Sequence, residues 1–201
     1  MQAGFDVLGI DNRPQPEYGG TEFHQNDAIR FVRQYGKFFD AIHASPPCQA
    51  YTPLNLGTNK GKFQHMELVD VTRAVLYDTG RPWIMENVPG PHLSPDLTLC
   101  GEMFGLGVIR HRSFELGKWM TYGPQHLKHR GSPAGWNKGE KLEGPYVQVY
   151  GRGGGKGSID SWQKAMGIDW TRSRPHLVEA IPPAYTRWIG ERLMGVLDER
   201  A

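Results

Sequence analysis

Three short apolar runs along the chain predict β-strands. The first spans residues 5–11 and ends in a carboxylate, Asp11, while the second spans residues 41–44 and is followed almost at once by two prolines. Proline ends a strand because it cannot donate to the ladder and fixes φ near about −65°. The third run spans residues 81–88. Each run therefore has a defined polar or rigid end.

Between these runs the apolar positions recur with a helical period. Residues 28–34 form a short predicted helix with Asp27 as its N-cap. Residues 64–77 form a longer one, and a third helix begins at Pro182, since proline is favoured in a first turn. The expected buried positions of the two longer helices are Leu68, Val71 and Val75, and then Tyr185, Ile189, Leu193 and Val196.

The order strand, helix, strand across residues 41–88 predicts a parallel pair with a right-handed crossover. The carboxyl ends of both strands then meet at one edge of the sheet, where α/β proteins gather ligands and chemistry. Apolar and alternating patterns predict two further strands, at residues 106–116 and 146–150. Within the first of these, alternation places Arg110 and Arg112 on one face. The fold class is therefore α/β.

Composition fits one ordinary domain of 201 residues with a net charge of +2. No run approaches the roughly 18 apolar residues of a membrane helix, and no signal peptide opens the chain. Two cysteines, Cys48 and Cys100, do not make a disulfide framework, so we expect a reducing cytoplasm. His126 and His129 have metal-ligand spacing, but two histidines without two further ligands are too few, and we assign no metal.

Charge is concentrated in residues 117–157. Seven Lys or Arg against two Glu give this segment a charge of +5, and it contains 11 of the 26 glycines and several aromatic residues. Basic groups interleaved with aromatics suit phosphate contact and base stacking. A solvated loop region would have a similar composition. The Gly-rich stretch 151–157 is not a phosphate-binding loop, because it lacks the required first glycine and the final Ser or Thr.

Cys48 follows the prolines at the end of the second strand. Taken alone, it is either a buried cysteine behind a rigid turn or a nucleophile exposed by that turn. Other motifs in the chain favour the nucleophile: Pro46-Pro47-Cys48-Gln49 is followed by Glu86-Asn87-Val88, Arg110-His111-Arg112 and Glu179-Ala180-Ile181-Pro182. In this order they resemble the motifs of the DNA (cytosine-5) methyltransferases, and they cover most of the chain.

The resemblance implies a Rossmann-like, S-adenosylmethionine-dependent methyltransferase sheet that acts on double-stranded DNA. Cys48 would be the nucleophile, and Glu86 and Arg112 would bind the flipped cytosine. S-adenosylmethionine would contact Asp11, Asp27 and Pro46. The DNA contacts implied by the resemblance and by the basic segment are Gln49, Arg110, Lys128, Arg130, Arg152 and Lys156.

Three departures from the family pattern stand out. Val108 replaces a Gln of the arginine motif, Glu179 replaces an Asn, and no Gly-rich turn precedes Asp11. The sheet is therefore expected to lack its first, central strand and to have unpaired edges beside the gap. The chain is then a late-started or split enzyme, a protein that needs a complementing N-terminal fragment, or a repurposed fold. We expect marginal stability and weak cofactor binding from residues 1–201 alone.

We therefore expect three regions: a catalytic core in residues 1–116, a small basic target-recognition segment in 117–157, and a C-terminal return to the core in 158–201. The expected function is C5 methylation of cytosine in DNA by a compact enzyme of the phage or prophage sort. We expect a monomer if the chain is complete, without membrane association. The alternative is a non-catalytic DNA-binding or decoy protein on a truncated methyltransferase fold.

Overall fold

A computed structural model describes residues 3–47, 68–90, 92–137, 140–150 and 157–200. In chain order its elements are β1 Leu8–Asp11, β2 Glu22–Gln25, α1 Ala28–Tyr35, β3 Ile42–Ala44, α2 Val69–Asp78, β4 Trp83–Asn87, β5 Leu97–Leu99, β6 Arg112–Gly117, β7 Gly135–Asn137, β8 Glu140–Leu142, α3 Ile159–Met166, α4 Arg174–Glu179 and α5 Pro183–Asp198. The class is mixed α/β. No helix among these residues is long and apolar enough to cross a membrane.

A four-stranded mixed sheet with the order β3-β4-β6-β5 forms the centre of the fold. The pairing of β3 with β4 is parallel, as the strand–helix–strand order predicted. β6 runs antiparallel to both of its neighbours, β4 and β5. The carboxyl end of β4 therefore lies beside the amino end of β6, which brings Glu86 and Arg112 to the same edge of the sheet.

β4 is buried on both faces, so its alternating side chains enter two different cores. Ile84 packs with Phe114 and with the buried side of α5, formed by Tyr185, Ile189 and Leu193. Trp83 and Met85 pack on the opposite face against α2. The result is a helix–sheet–helix sandwich with β4 as its central strand. Three of the four positions predicted to be buried in α5 are fully buried.

The buried side of α2 differs from the predicted one. Val71 is 40% exposed, whereas Val69, Thr72, Val75 and Leu76 are buried. The prediction for Val71 was wrong because the helix turns its 69–72–76 row toward the sheet instead. An ion pair holds this orientation, since Arg73 Nε lies 2.6 Å from Oε1 of Glu115, a buried residue of β6.

A separate hydrophobic cluster joins residues 108 and 149 to the C-terminal helices α3 and α4. Trp162, Met166 and Leu177 are its largest fully buried members. Because Val149 belongs to this cluster, part of the predicted target-recognition segment packs on the C-terminal region.

β1 and β2 form a parallel pair apart from the main sheet. Asp27 caps α1 as predicted, because its carboxylate accepts a hydrogen bond from the backbone N–H of Arg30. Within the described ranges, no strand pairs with the second edge of β1 or of β3. The expected lack of a central strand stays a prediction.

Two predicted strands are corrected. Residues 106–111 are not a strand: a 3-10 helix at Gly101–Phe104 ends at Gly105 in the left-handed conformation (φ 69°), and β6 begins only at Arg112. Residues 146–150 form no strand either, beyond an isolated bridge between Tyr146 and Pro133. Their backbone groups form hydrogen bonds with loop residues instead. For example, the N–H of Val147 donates to the carbonyl oxygen of Gly107.

Tyr185 should contribute a measurable hydrogen bond to stability. Its hydroxyl is buried and donates to the carbonyl oxygen of Arg110 over 2.7 Å. Tyr185→Phe removes the donor and should lower the free energy of unfolding by about 1–3 kcal/mol, measured by urea denaturation. Tyr122→Phe is the matched control, since Tyr122 is 85% exposed, and it should leave stability unchanged. Equal stability of the two variants would contradict this role for Tyr185.

Candidate functional site

The ends of β3 and β4 are joined by side-chain hydrogen bonds. Asn87 donates from Nδ2 to the carbonyl oxygen of Pro46 over 2.9 Å, and both residues are buried. The side chain of Ser45 hydrogen-bonds the carboxylate of Glu86. These contacts bring the Pro-Pro-Cys and Glu-Asn-Val motifs together, as the parallel pairing predicted. Cys48 and Gln49 lie outside the described residues.

Glu86 and Arg112 form a nearly buried ion pair. The Nε of Arg112 lies 2.9 Å from Oε1 of Glu86, and their side chains are only 13% and 8% exposed. The register pairs Glu86 with Phe114, so Arg112, two residues earlier on β6, lies diagonally across on the same face. The structure thus brings together two of the three predicted catalytic residues.

Burial and neighbouring positive charge shift the pKa of Glu86 in opposite directions. Burial raises the pKa of its carboxyl group, and the nearby Arg112 and Arg110 guanidiniums and the Ser45 hydrogen bond only partly offset this. The net shift is upward. Glu86 is therefore a carboxyl group that takes up a proton more readily than an exposed glutamate does, while Arg112 stays within hydrogen-bond distance.

Arg110 is buried and turns toward the protein interior. Its guanidinium donates to the carbonyl oxygen of Val149 over 3.2 Å and to that of Val178. These contacts connect the start of β6 to the basic segment and to α4. The predicted strand partnership with Arg112 was wrong, because residues 106–111 are not extended as a strand. The proposed DNA contact of Arg110 stays a prediction.

A cleft of about 280 Å³ opens beside Arg112. Its lining comprises residues 108–112, Pro133 and residues 147–150. One wall therefore carries the arginine motif and the other belongs to the basic segment. A larger and more open depression of about 520 Å³ lies over residues 163–172, but it contains neither Glu86 nor Arg112, and we do not assign the chemistry to it.

The predicted cofactor residues fall into two groups. Asp11 ends β1, and the N–H of Asn26 donates to its backbone carbonyl, which brings Asp27 to the same end of the β1–β2 pair. The Asp11 carboxylate accepts hydrogen bonds from the N–H of Arg13 and from Gln15. A carboxylate has about four lone-pair sites, so acceptor capacity remains for ribose hydroxyls. Pro46 lies at the end of β3, in the other sheet.

The basic segment presents Lys128 and Arg130 at the surface. Arg130 already contacts Glu102, with Nε 2.7 Å from Oε1. Of the aromatic residues expected to stack on bases, Trp119 and Tyr146 are buried in the core, whereas Tyr122 and Tyr150 are exposed. The stacking hypothesis therefore fails for the first two. Arg152 and Lys156 lie outside the described residues.

Sequence reasoning missed a cluster of metal-ligating side chains. Cys100 and His111 lie beside His126 and His129, and one possible ligand atom from each lies within 4.8 Å of the others. The premise for assigning no metal, that the two histidines had no further ligands, was therefore wrong. The only signal in the sequence was the His-x-x-His spacing, because Cys100 and His111 are far from these two histidines along the chain.

Comparison with protein-family models found no match, and no curated protein matched the chain.

Replacing Glu86 should change how stability depends on pH. The folded protein has a raised Glu86 pKa, whereas the unfolded chain titrates near about 4.3. The unfolded state therefore releases its proton first, so ionisation of Glu86 costs stability as pH rises between the two pKa values. The free energy of unfolding of wild type relative to Glu86→Gln should fall in that window by at most about 1.4 kcal/mol per pH unit.

Urea denaturation of both proteins from about pH 4 to 8 measures this difference. Glu191→Gln, at a partly exposed position on α5, is the matched control for loss of one carboxylate. A wild-type advantage that grows with pH would mean that Arg112, rather than burial, dominates the environment of Glu86.

Proposed function

We propose that the chain is a DNA (cytosine-5) methyltransferase. The observation that carries the proposal is the buried Glu86–Arg112 pair beside the Pro46 backbone at the carboxyl end of two parallel strands. Cys48 follows Pro46 by two residues in the sequence. A thiol nucleophile, a carboxyl group of raised pKa and a guanidinium are the groups that activation of a cytosine ring needs.

The ring must first be made nucleophilic at C5. In the proposed mechanism the Cys48 thiolate adds to C6, forming an S–C6 bond and moving the electron pair of the C5–C6 double bond onto C5. An ordinary cysteine is only a few per cent thiolate at neutral pH, so a positively charged environment would favour this step. After methyl transfer, a base removes the proton from C5 and the thiolate leaves C6.

Glu86 would bind the Watson–Crick edge of the cytosine. Protonation or strong hydrogen bonding at N3 stabilises the adduct, and a buried carboxyl group with a raised pKa is suited to donate that proton. Arg112 would hold the O2 atom and would keep the carboxyl group in place through its Nε contact. Because these atoms are hidden in a duplex, the base must be flipped, at a cost of roughly a few kcal/mol.

S-adenosylmethionine would supply the electrophilic methyl group. Asp11 and Asp27 fit this cofactor, since both carboxylates lie at the carboxyl end of one parallel strand pair, where ribose and adenine groups bind in α/β folds. Pro46 would approach from the end of β3. Lys128 and the cleft beside Arg112 would receive the DNA.

A second candidate function is DNA binding without catalysis. The observation that favours it is the separation of the β1–β2 pair from the main sheet, with open strand edges on both sides within the described ranges. Asp11 and Glu86 therefore belong to strands of different sheets. Calorimetric titration with S-adenosylmethionine distinguishes the two functions, because only the enzyme needs to bind it.

Covalent trapping tests the role of Cys48. Duplex DNA containing 5-fluorocytosine in place of cytosine should form a stable adduct with the wild-type chain in the presence of S-adenosylmethionine, since fluorine is not removed as a proton is. Cys48→Ser should form none while keeping the wild-type melting temperature. Peptide mass spectrometry should map the adduct to Cys48, and an adduct on Cys100 or one retained by Cys48→Ser would refute the proposed nucleophile.

Salt dependence tests the basic segment. Lys128 is exposed, so Lys128→Ala should remove one phosphate contact and reduce the slope of log K against log salt by about 0.9 for duplex DNA. Arg130→Ala should have a smaller effect because Glu102 already contacts that guanidinium. Lys37→Ala, an exposed cation outside the segment, is the control. Equal slopes for Lys128→Ala and wild type would assign Lys128 to a solvated loop.

A further inference from the structure

We propose that Cys100, His111, His126 and His129 bind one structural zinc ion. Two of the four residues belong to neighbouring strand ends. The register pairs Leu99 of β5 with Arg112 of β6, and its continuation by one residue places Cys100 opposite His111. Directly opposed residues on antiparallel strands have Cβ atoms about 4.5–5.5 Å apart. The sheet itself therefore provides half of the ligand set.

The other two ligands come from the segment after β6. His126 Nε2 lies 3.1 Å from His111 Nε2, and the ring of His129 lies 5.3 Å from that of His111 and 4.8 Å from that of His126. Three imidazoles thus surround one buried thiol. The spacing His-x-x-His lets both side chains of the loop approach the same point.

The distances fit a tetrahedral site after a small contraction. Zinc bonds of about 2.0–2.1 Å to nitrogen and 2.3 Å to sulfur put neighbouring ligand atoms about 3.3–3.6 Å apart. The His111–His126 separation of 3.1 Å is already close to this value, and the largest separation in the cluster is 4.8 Å. The more widely separated ligand atoms would have to move closer together when the metal binds.

An outer carboxylate orients one of the ligands. Glu102 Oε2 lies 2.7 Å from Nδ1 of His129, so the Nε2 atom of that ring is left for a metal. A carboxylate behind a ligating histidine is a common arrangement, because it fixes the tautomer and raises the basicity of the ligand. Arg130 contacts the other oxygen of Glu102 and holds the carboxylate in position.

The donor set indicates zinc in a structural role. One thiolate and three imidazoles suit a tetrahedral zinc ion, and four protein ligands leave no position for substrate. Residues 118–132 contain no helix or strand, although all of them are described. Trp119 anchors the start of this segment in the core, but the side chains of Met120, Tyr122 and Leu127 farther along are exposed. A metal ion would attach it, with Lys128, to the edge of the sheet.

Metal analysis of the purified full chain, with any polyhistidine tag removed, tests the site. The wild-type protein should contain about one zinc ion per chain, and chelation should lower its melting temperature until zinc is restored. With cobalt(II) in place of zinc, the spectrum should show visible bands of tetrahedral geometry and a thiolate charge-transfer band. That band should disappear in Cys100→Ser and persist in Cys48→Ser.

Single-ligand variants separate binding from folding. His126 is exposed, so His126→Ala should lose the metal without disturbing the core, and His24→Ala is the matched control that should retain it. Glu102→Gln should weaken zinc binding by roughly 10- to 100-fold, as loss of an outer carboxylate does elsewhere, whereas Glu191→Gln should not.

Two results would overturn the proposal. One is a folded wild-type chain that contains no zinc and takes up neither zinc nor cobalt(II) after reduction of its thiols. The other is His126→Ala and Cys100→Ser both retaining the wild-type metal content. Neither readout depends on DNA or on methylation. The zinc proposal can therefore be refuted while the proposed methyltransferase activity stands, and the methyltransferase proposal can be refuted while the zinc site stands.

Discussion

The nearly buried pair of Glu86 and Arg112 is the interaction on which the candidate site depends. Two opposite charges taken out of water are stabilised only when each has a close partner, so the pair requires the register of β4 against β6 that brings the residues together. Truncation of either partner would leave an uncompensated charge in the sheet. The same interaction holds the carboxyl group at the carboxyl end of β4.

The surroundings of this pair join three parts of the chain. Asn87 binds the backbone of Pro46, Tyr185 of α5 binds the backbone of Arg110, and Arg110 binds backbone carbonyls in the basic segment and in α4. The neighbourhood of the Glu86–Arg112 pair is therefore hydrogen-bonded to β3, α5, the basic segment and α4. The cleft between the arginine motif and the basic segment is therefore positioned by both.

The proposed zinc site lies beside the Glu86–Arg112 pair, at the same end of β6. Arg112 faces Glu86, while the preceding residue, His111, lies with Cys100 and the two histidines of the following segment. A metal at that position would fix the start of β6. The candidate chemical site and the attachment of the basic segment would then share one short stretch of backbone.

Local sequence determined the elements whose signals are local. Asp27 as an N-cap, the prolines after β3, and the period of α5 depend only on neighbours along the chain, and each is confirmed in the structure. The parallel pairing of β3 and β4 could also be predicted from the sequence, because a strand, a helix and a second strand in that order usually form a right-handed crossover between parallel strands. Residues 106–111 were predicted wrongly, since a 3-10 helix and the burial of Arg110 override their apolar pattern.

Tertiary structure alone decided the contacts between distant residues. The side of α2 that is buried depends on the sheet beneath it, so Val71 is exposed although its spacing fits the stripe. Trp119 and Tyr146 look available for stacking in the sequence but fill the core. Cys100 and His111 are eleven positions apart in the sequence, and they come close because β5 and β6 pair antiparallel. The register between β5 and β6 brings Cys100 and His111 together, and the sequence of neither strand alone determines that register.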